Sequence, residues 1–512
     1  MREPFARTRI DGWMGLSIIL AAAGALVIAV LPWETLGAPV LMVILAGGAA
    51  IGWALWDSPA EERRFVLRLF LVALGVRLLA TAIFYGITGS NPNYLYKDAT
   101  GYDRIAWILA QAWHNHGILP EAAGRLASME NDTYPRILAV LYYVIGRAPA
   151  AAVAINAVLG AASVYLVYRI SAILFGSAPA RWAGWLTAFY TGFWLWGLMT
   201  LKDTVFAFLL LLFFLALYRL ENFFASENYS RERILRAAGW AAVLILAWLA
   251  AGVIRDAANY ARLALAAAGA TLLVVWFLRS GRIVRWLIFL AAATVCVVFL
   301  WPKIASFSLP SIAVNTQSLL FQTTDVPVTG TFGAFLGWII GHPAGFVRYL
   351  LLSTISTALA PYAWIFPGTL SGVSGFDPSF IAFPGMWLWY AMIPFSILGF
   401  FQAVRRSRGD VWPVVVCGAG LFLVFSILIP RESRHRDMIM PFALMLAAEG
   451  LVFGWKWWYL GLVFWIPLTG LIAWKLHSPL PILFAALIAA AAWIVWRVRK
   501  RAAQDTPRGK AT

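Results

Sequence analysis

Three observations predict an all-α polytopic membrane protein. Apolar residues make up 62% of the 512 positions and charged residues only 12%, a balance that a soluble chain of this length could not bury. The apolar residues fall into recurrent runs that approach the length of a bilayer crossing, about 20 residues. Lysine and arginine collect in alternate loops between these runs, so the net charge of +17 is a topology signal that marks the cytoplasmic side. Nucleic acid is not an expected partner, because no soluble basic domain is present to bind it. Cys296 and Cys417 lie in separate apolar runs, which implies neither a disulfide framework nor a cysteine metal cluster.

Taken in order, residues 1–64 form an N-terminal transmembrane hairpin. Met1–Asp11 is short and basic, and no small-residue cleavage site follows Trp13–Leu31, so a retained signal anchor with a cytoplasmic start is expected. Ala38–Trp56 is the second run, and Glu61-Glu62-Arg63-Arg64 is a cytoplasmic turn. Phe65–Ile87 then ends outside, followed by a polar outer loop, residues 89–135. Ile137–Ile145 is too short to span and reads as half-inserted or tilted. Val153–Phe175 goes in, Arg181 marks the turn, Trp182–Leu201 goes out and Val205–Leu217 returns, closing a unit over 65–220.

The remainder, 221–512, follows the same rule. Arg219, Arg231, Arg233 and Arg236 mark an inner loop, as do Arg279, Arg282 and Arg285, and then Arg405, Arg406 and Arg408. Spans are expected at Trp240–Ile254, Leu263–Phe277, Trp286–Trp301, Phe383–Phe401, Pro413–Ile429, Met438–Phe453, Tyr459–Trp474 and Leu480–Trp496. Residues 332–367 form a re-entrant hairpin or two spans. The count is about fourteen, with outer loops at 302–330 and 430–437 and a basic C-terminal tail.

Two outer stretches carry chemistry. In the first loop, Asp98 and Tyr102 are four residues apart and share a helix face, and the apolar residues after them predict an amphipathic helix lying along the membrane surface. The bland alternative is a loop helix with an N-terminal Asp cap. The second is Arg431-Glu432-Ser433-Arg434-His435-Arg436-Asp437, a basic cluster on the wrong face for the topology rule. Arginine forks suit phosphate oxygens; Glu432 and Asp437 offer the alternative of structural ion pairs. His114 and His116 flank Asn115, a pattern that in a loop is more often surface than ligand.

The pattern Asp98-x-x-x-Tyr102-x-x-x-Ala106 in the first outer loop resembles the GT-C fold glycosyltransferases, of the bacterial family 39 type that includes protein mannosyltransferases and lipid A aminoarabinose transferases. The resemblance continues through Tyr134-Pro135-Arg136-Ile137-Leu138, Leu141-Tyr142-Tyr143-Val144-Ile145-Gly146, Asn156-Ala157-Val158-Leu159-Gly160, Tyr168 to Gly176, and Leu201-Lys202-Asp203. Ser433-Arg434-His435-Arg436, with Pro441, is similar to the family's Arg-Tyr-Arg-x-x-x-x-Pro element. The sequence departs from the family in having Ala99 where a second acid follows the first, in two extra spans before the loop, and in lacking a soluble C-terminal domain.

This resemblance implies a GT-C-like bundle in the bacterial inner membrane with its active face outward. It implies transfer of a sugar from a polyprenyl-phosphate carrier to an acceptor glycan, lipid or protein, with inversion. Asp98 would be the general base, with Asp103 ranked behind it as base or cap. Arg431, Arg434, His435 and Arg436 would hold the phosphate, with Lys202 as a second donor and Tyr102 beside Asp98. Asp203 would either position Lys202 or join Asp98 around a divalent cation, the one cofactor to consider. The alternatives are a polysaccharide polymerase or ligase with the same kind of donor, and a transporter or flippase for a lipid-linked anion. A transporter would place charges near the midplane of its spans and show repeat symmetry.

Overall fold

The computed structural model describes residues 36–88, 97–116, 133–224, 230–254, 379–406, 410–427 and 436–453, with scattered positions between 265 and 358. Among the described residues the secondary structure is helical apart from two antiparallel pairs of two-residue strands, Ser308–Leu309 with Gly330–Thr331 and Gln317–Ser318 with Phe321–Gln322. Six helices among the described residues are long and apolar enough to cross a membrane, so the chain is a helical membrane protein. The expected spans at 13–31, 286–301, 459–474 and 480–496 lie outside the described residues, as does most of 263–277.

The helices follow the apolar runs and extend past them into the flanking charges. α1 is Ala38–Asp57, α2 is Arg63–Thr88, α3 is Lys97–His116 and α4 is Tyr134–Ile145. α5 is Pro149–Phe175, starting on a proline suited to a first helical turn. Gly146 and Gly176 follow α4 and α5 at φ 81° and 87°, a backbone region in which a side chain would be strained. The Trp182–Leu201 run, expected as one span, is instead broken. It comprises α6, Ser177–Phe189, then α7, Thr191–Leu195, then a 3-10 turn at Trp196–Leu198. α8 is Asp203–Phe224, α9 is Arg231–Ile254, α10 is Ser379–Arg406, α11 is Trp412–Ile427 and α12 is Met440–Phe453.

α5 is the axis of the bundle. Its sequence is mostly small and apolar with no single apolar stripe, the composition of a helix surrounded by protein, and most of it is buried. α2, α6 and α8 pack around it. α2 and α9 instead turn Leu79, Ile83, Leu246 and Leu249 outward, as lipid-facing helices do. α10 and α12 meet backbone to backbone at Gly399 and Gly450: a Cβ on Gly399 would collide with the Leu446 carbonyl, and one on Gly450 with the Phe395 carbonyl. The Ser396 hydroxyl adds a link across the seam, 3.0 Å from the Ala443 carbonyl oxygen.

The bundle has two chemically different ends. At one, Asp57 accepts from Tyr165 Oη at 2.8 Å, Arg169 Nε at 3.1 Å and Arg219 Nη2 at 2.7 Å. The Tyr218 hydroxyl donates to the Asp410 carbonyl at 2.7 Å nearby in sequence to Arg219. These side chains come from the end of α1 and from the later parts of α5 and α8, which the basic-loop rule expects on one side. The opposite end carries α3, α4 and the broken segment.

Candidate functional site

α3 is placed by its buried face. Ala99, Tyr102, Ala106, Leu109 and Ala110, at helical spacing, pack with Tyr134, Leu138, Ala139 and Tyr142 of α4 and with Met199 and Leu201. Asp98 lies in the first turn, where a carboxylate complements the helix dipole, and is half-buried. Asp103 is not a cap, since it falls mid-helix. It is 3% exposed, accepts from Tyr142 Oη at 2.7 Å and from Arg147 Nη2 at 2.8 Å, and so rivets α3 to α4 and to the loop after it. Burial, then the Asp103 charge, push the Tyr142 hydroxyl well above its ordinary pKa, keeping it a donor.

The segment from Met199 to Asp203 is held against the start of α3 from two sides. Thr200 Oγ1 donates to the Ala99 carbonyl at 3.1 Å. Asn156 Nδ2 of α5 donates to the Met199 and Leu201 carbonyls at 3.0 and 3.2 Å. The Lys202 ammonium consequently sits over the Tyr102 ring, 5.3 Å from its centroid, and the Tyr102 ring meets Tyr134 edge-on at 5.4 Å. Asp203 opens α8 and is 3% exposed. Asp98, Tyr102, Lys202 and Asp203, far apart in sequence, thus occupy one neighbourhood.

The second cluster joins the same region through the broken segment. Arg436 and Asp437 are each 1% exposed and paired, Nη2 to Oδ1 at 3.1 Å. Asp437 also accepts from Tyr190 Oη at 2.6 Å and Trp196 Nε1 at 3.0 Å. Burial alone would lower the Arg436 pKa, but Tyr190 and Asp437 outweigh it and hold it above its ordinary value, so the guanidinium stays charged. Gly192 is required beneath this pair, because a Cβ there would lie 2.7 Å from the Asp437 carboxylate. Thr191 Oγ1 accepts from the Gly385 N–H at 2.7 Å, fixing α7 to the start of α10.

Arg436 is therefore no open fork on the surface, as its phosphate-binding role required. Its charge is already met by Asp437, the structural pairing that the sequence left open. Arg431, Arg434 and His435 lie outside the described residues, and of His116 only the backbone is described. His114 is exposed and stacks on Tyr143 at 4.4 Å, a surface residue. Among the described residues no group of three or more His, Cys, Asp or Glu converges as a metal site would require. Asp98 and Asp203 alone do not make a hard-ion cage.

Sequence reasoning missed Tyr190, Trp196 and Thr200 because they lie inside an apolar run. The available signal was Tyr190-Thr191-Gly192, a break in an otherwise continuous span. A cavity of about 1050 Å³ opens at the opposite end, lined by Trp53, Asp57, Arg219, Glu232, Arg236 and Trp240 among others. Its charges are paired with one another, Arg219 with Asp57 and Arg236 with Glu232, and it is remote from the cluster around Tyr102. No protein-family model, curated protein or solved structure matches this chain.

Proposed function

We propose that the chain is a membrane glycosyltransferase that moves a sugar from a polyprenyl-phosphate carrier to an acceptor at the outer membrane face. The observation that supports it most is the meeting of Asp98, Tyr102, Lys202 and the buried Asp203 at one end of the bundle. A carboxylate at a helix start and an ammonium beside it are the two charges that the reaction needs. The Asp98 carboxylate takes the proton of an acceptor hydroxyl as its oxygen attacks the anomeric carbon. The bond from that carbon to the phosphate oxygen breaks, with inversion, and the phosphate leaves with the electron pair. Lys202 offsets the charge that grows on the departing phosphate. Arg431, Arg434 and His435 are the further phosphate contacts in this reading, and Arg436 acts through its pair with Asp437.

The test is release and transfer of sugar from a radiolabelled polyprenyl-phosphate sugar by membranes holding the protein. Transfer that Asp98→Asn abolishes supports the reading, and an intact protein with no transfer to any acceptor lipid, glycan or protein fraction sinks it. One observation favours the second reading, transport of a lipid-linked anion: Arg77 lies buried inside a span. Movement of the labelled lipid across vesicles, without loss of its sugar, would select that alternative.

A further inference from the structure

Arg77 stands in the middle of α2 and is 2% exposed. Nη1 donates to Ala73 of its own helix at 2.8 Å, and the guanidinium lies 5.8 Å from the centroid of the Phe193 ring on α7. Nε and Nη2 are buried with no hydrogen-bond partner among the described residues, and none of the ion pairs there involves Arg77. An arginine kept in that position within a span is costly unless something negative meets it. Room for it is made by α5, where Gly160 faces the guanidinium. A Cβ at Gly160 would lie 2.5 Å from Nε.

The same seam holds another orphan. Trp194 Nε1 of α7 is buried without a hydrogen-bond partner among the described residues, and its ring packs in a cluster with Ala80, three residues along α2 from Arg77. The unpartnered groups of Arg77 and Trp194 are all N–H donors, the complement of an anion. Their position is also set relative to the candidate site. Gly160 is one helical turn from Asn156 on the same face of α5, about 6 Å deeper, and Asn156 pins the loop that carries Lys202 and Asp203. Broken helices such as the one ending in α7 are where spanning proteins expose groups to ligands.

We propose that the α2–α7 seam is an anion-binding site in which Arg77, assisted by Trp194, takes the phosphate of a polyprenyl-phosphate lipid from beneath the candidate site. This rests on the lipid-linked-donor reading. Phe193 covers the guanidinium and is the side chain that must give way.

The test uses the purified full chain in lipid nanodiscs, with thermal stabilisation measured against undecaprenyl phosphate, undecaprenol and inorganic phosphate. The parent protein should be stabilised by the phosphate lipid alone. Arg77→Met should melt higher than the parent without ligand, because an unpaired buried charge is gone, and should bind undecaprenyl phosphate about ten-fold or more weakly. Arg77→Lys should retain part of the binding. Gly160→Ala keeps the charge but presses a methyl onto Nε, and serves if the Met variant does not fold; it too should weaken binding. Normal phosphate-lipid binding by these variants overturns the site while leaving the donor reading intact. A parent protein that does not distinguish the phosphate lipid from the alcohol overturns both. Equal stabilisation by inorganic phosphate overturns the lipid as ligand.

Discussion

Asp57 at one end of the bundle and the loop beside Asp98 at the other are held in different ways. Around Asp57, one carboxylate collects a tyrosine and two arginines from α5 and α8, and Arg169 reaches on to Glu62 at 3.5 Å. Side chain meets side chain, and the effect is to lock α1, α5 and α8 together. Around Asp98, the bonds that set the geometry run from neutral side chains, Thr200 and Asn156, to main-chain carbonyls. That arrangement positions the loop that carries Lys202 and Asp203 against the start of α3. A network of charged side chains joins helices; neutral side-chain bonds to the main chain place a loop.

The largest test of this contrast is at the locked end. Asp57→Ala leaves Arg169 and Arg219 without their shared partner, and removal of one member of a buried ion pair costs about 3–5 kcal/mol. Solvent reaches part of Arg219, whose side chain is 27% exposed, so the lower figure is expected. Denaturation in detergent should show it, and a variant as stable as the parent would remove the distinction between the ends. At the Asp98 end the sign reverses. Asp98→Asn should lower single-turnover transfer about 100-fold while the melting temperature stays within error. A loss of stability instead, with transfer at the parent rate, would make Asp98 another structural carboxylate. The smallest effect is expected at Asn156→Ala, where two hydrogen bonds to buried carbonyls are lost, at about 1–3 kcal/mol. Transfer should fall with it because the Lys202 loop is released. Unchanged transfer in a folded Asn156→Ala protein would show that the loop's position does not matter.

The sequence was most legible where one physical signal dominated. Apolar runs and alternating basic loops located α2, α5, α8 and α9, because length and charge bias alone specify a crossing. The helix α3 was legible from its polar start and apolar face. The break at Tyr190 was not, because hydropathy averages over a window and Trp182–Leu201 stays apolar throughout. Arg77 was hidden for the same reason, one charge in the middle of the apolar Phe65–Ile87 run. Asp103 was ambiguous because a carboxylate's role depends on its partners, and Tyr142 and Arg147 are 39 and 44 residues away.

The glycine contact between α10 and α12 has a mechanical meaning. With Gly399 and Gly450 leaving no space between the two backbones, the helices form a single two-pronged lever rather than two independent rods. One prong begins near Gly385, which holds Thr191; the other begins beyond Arg436 and Asp437, which hold Tyr190 and Trp196. Both prongs grip the broken segment. Tilting either one tilts the pair, and the motion reaches α7 at two points at once. Arg406 and Glu449, 3.8 Å apart, tie the two prongs together again at the far end of the same lever.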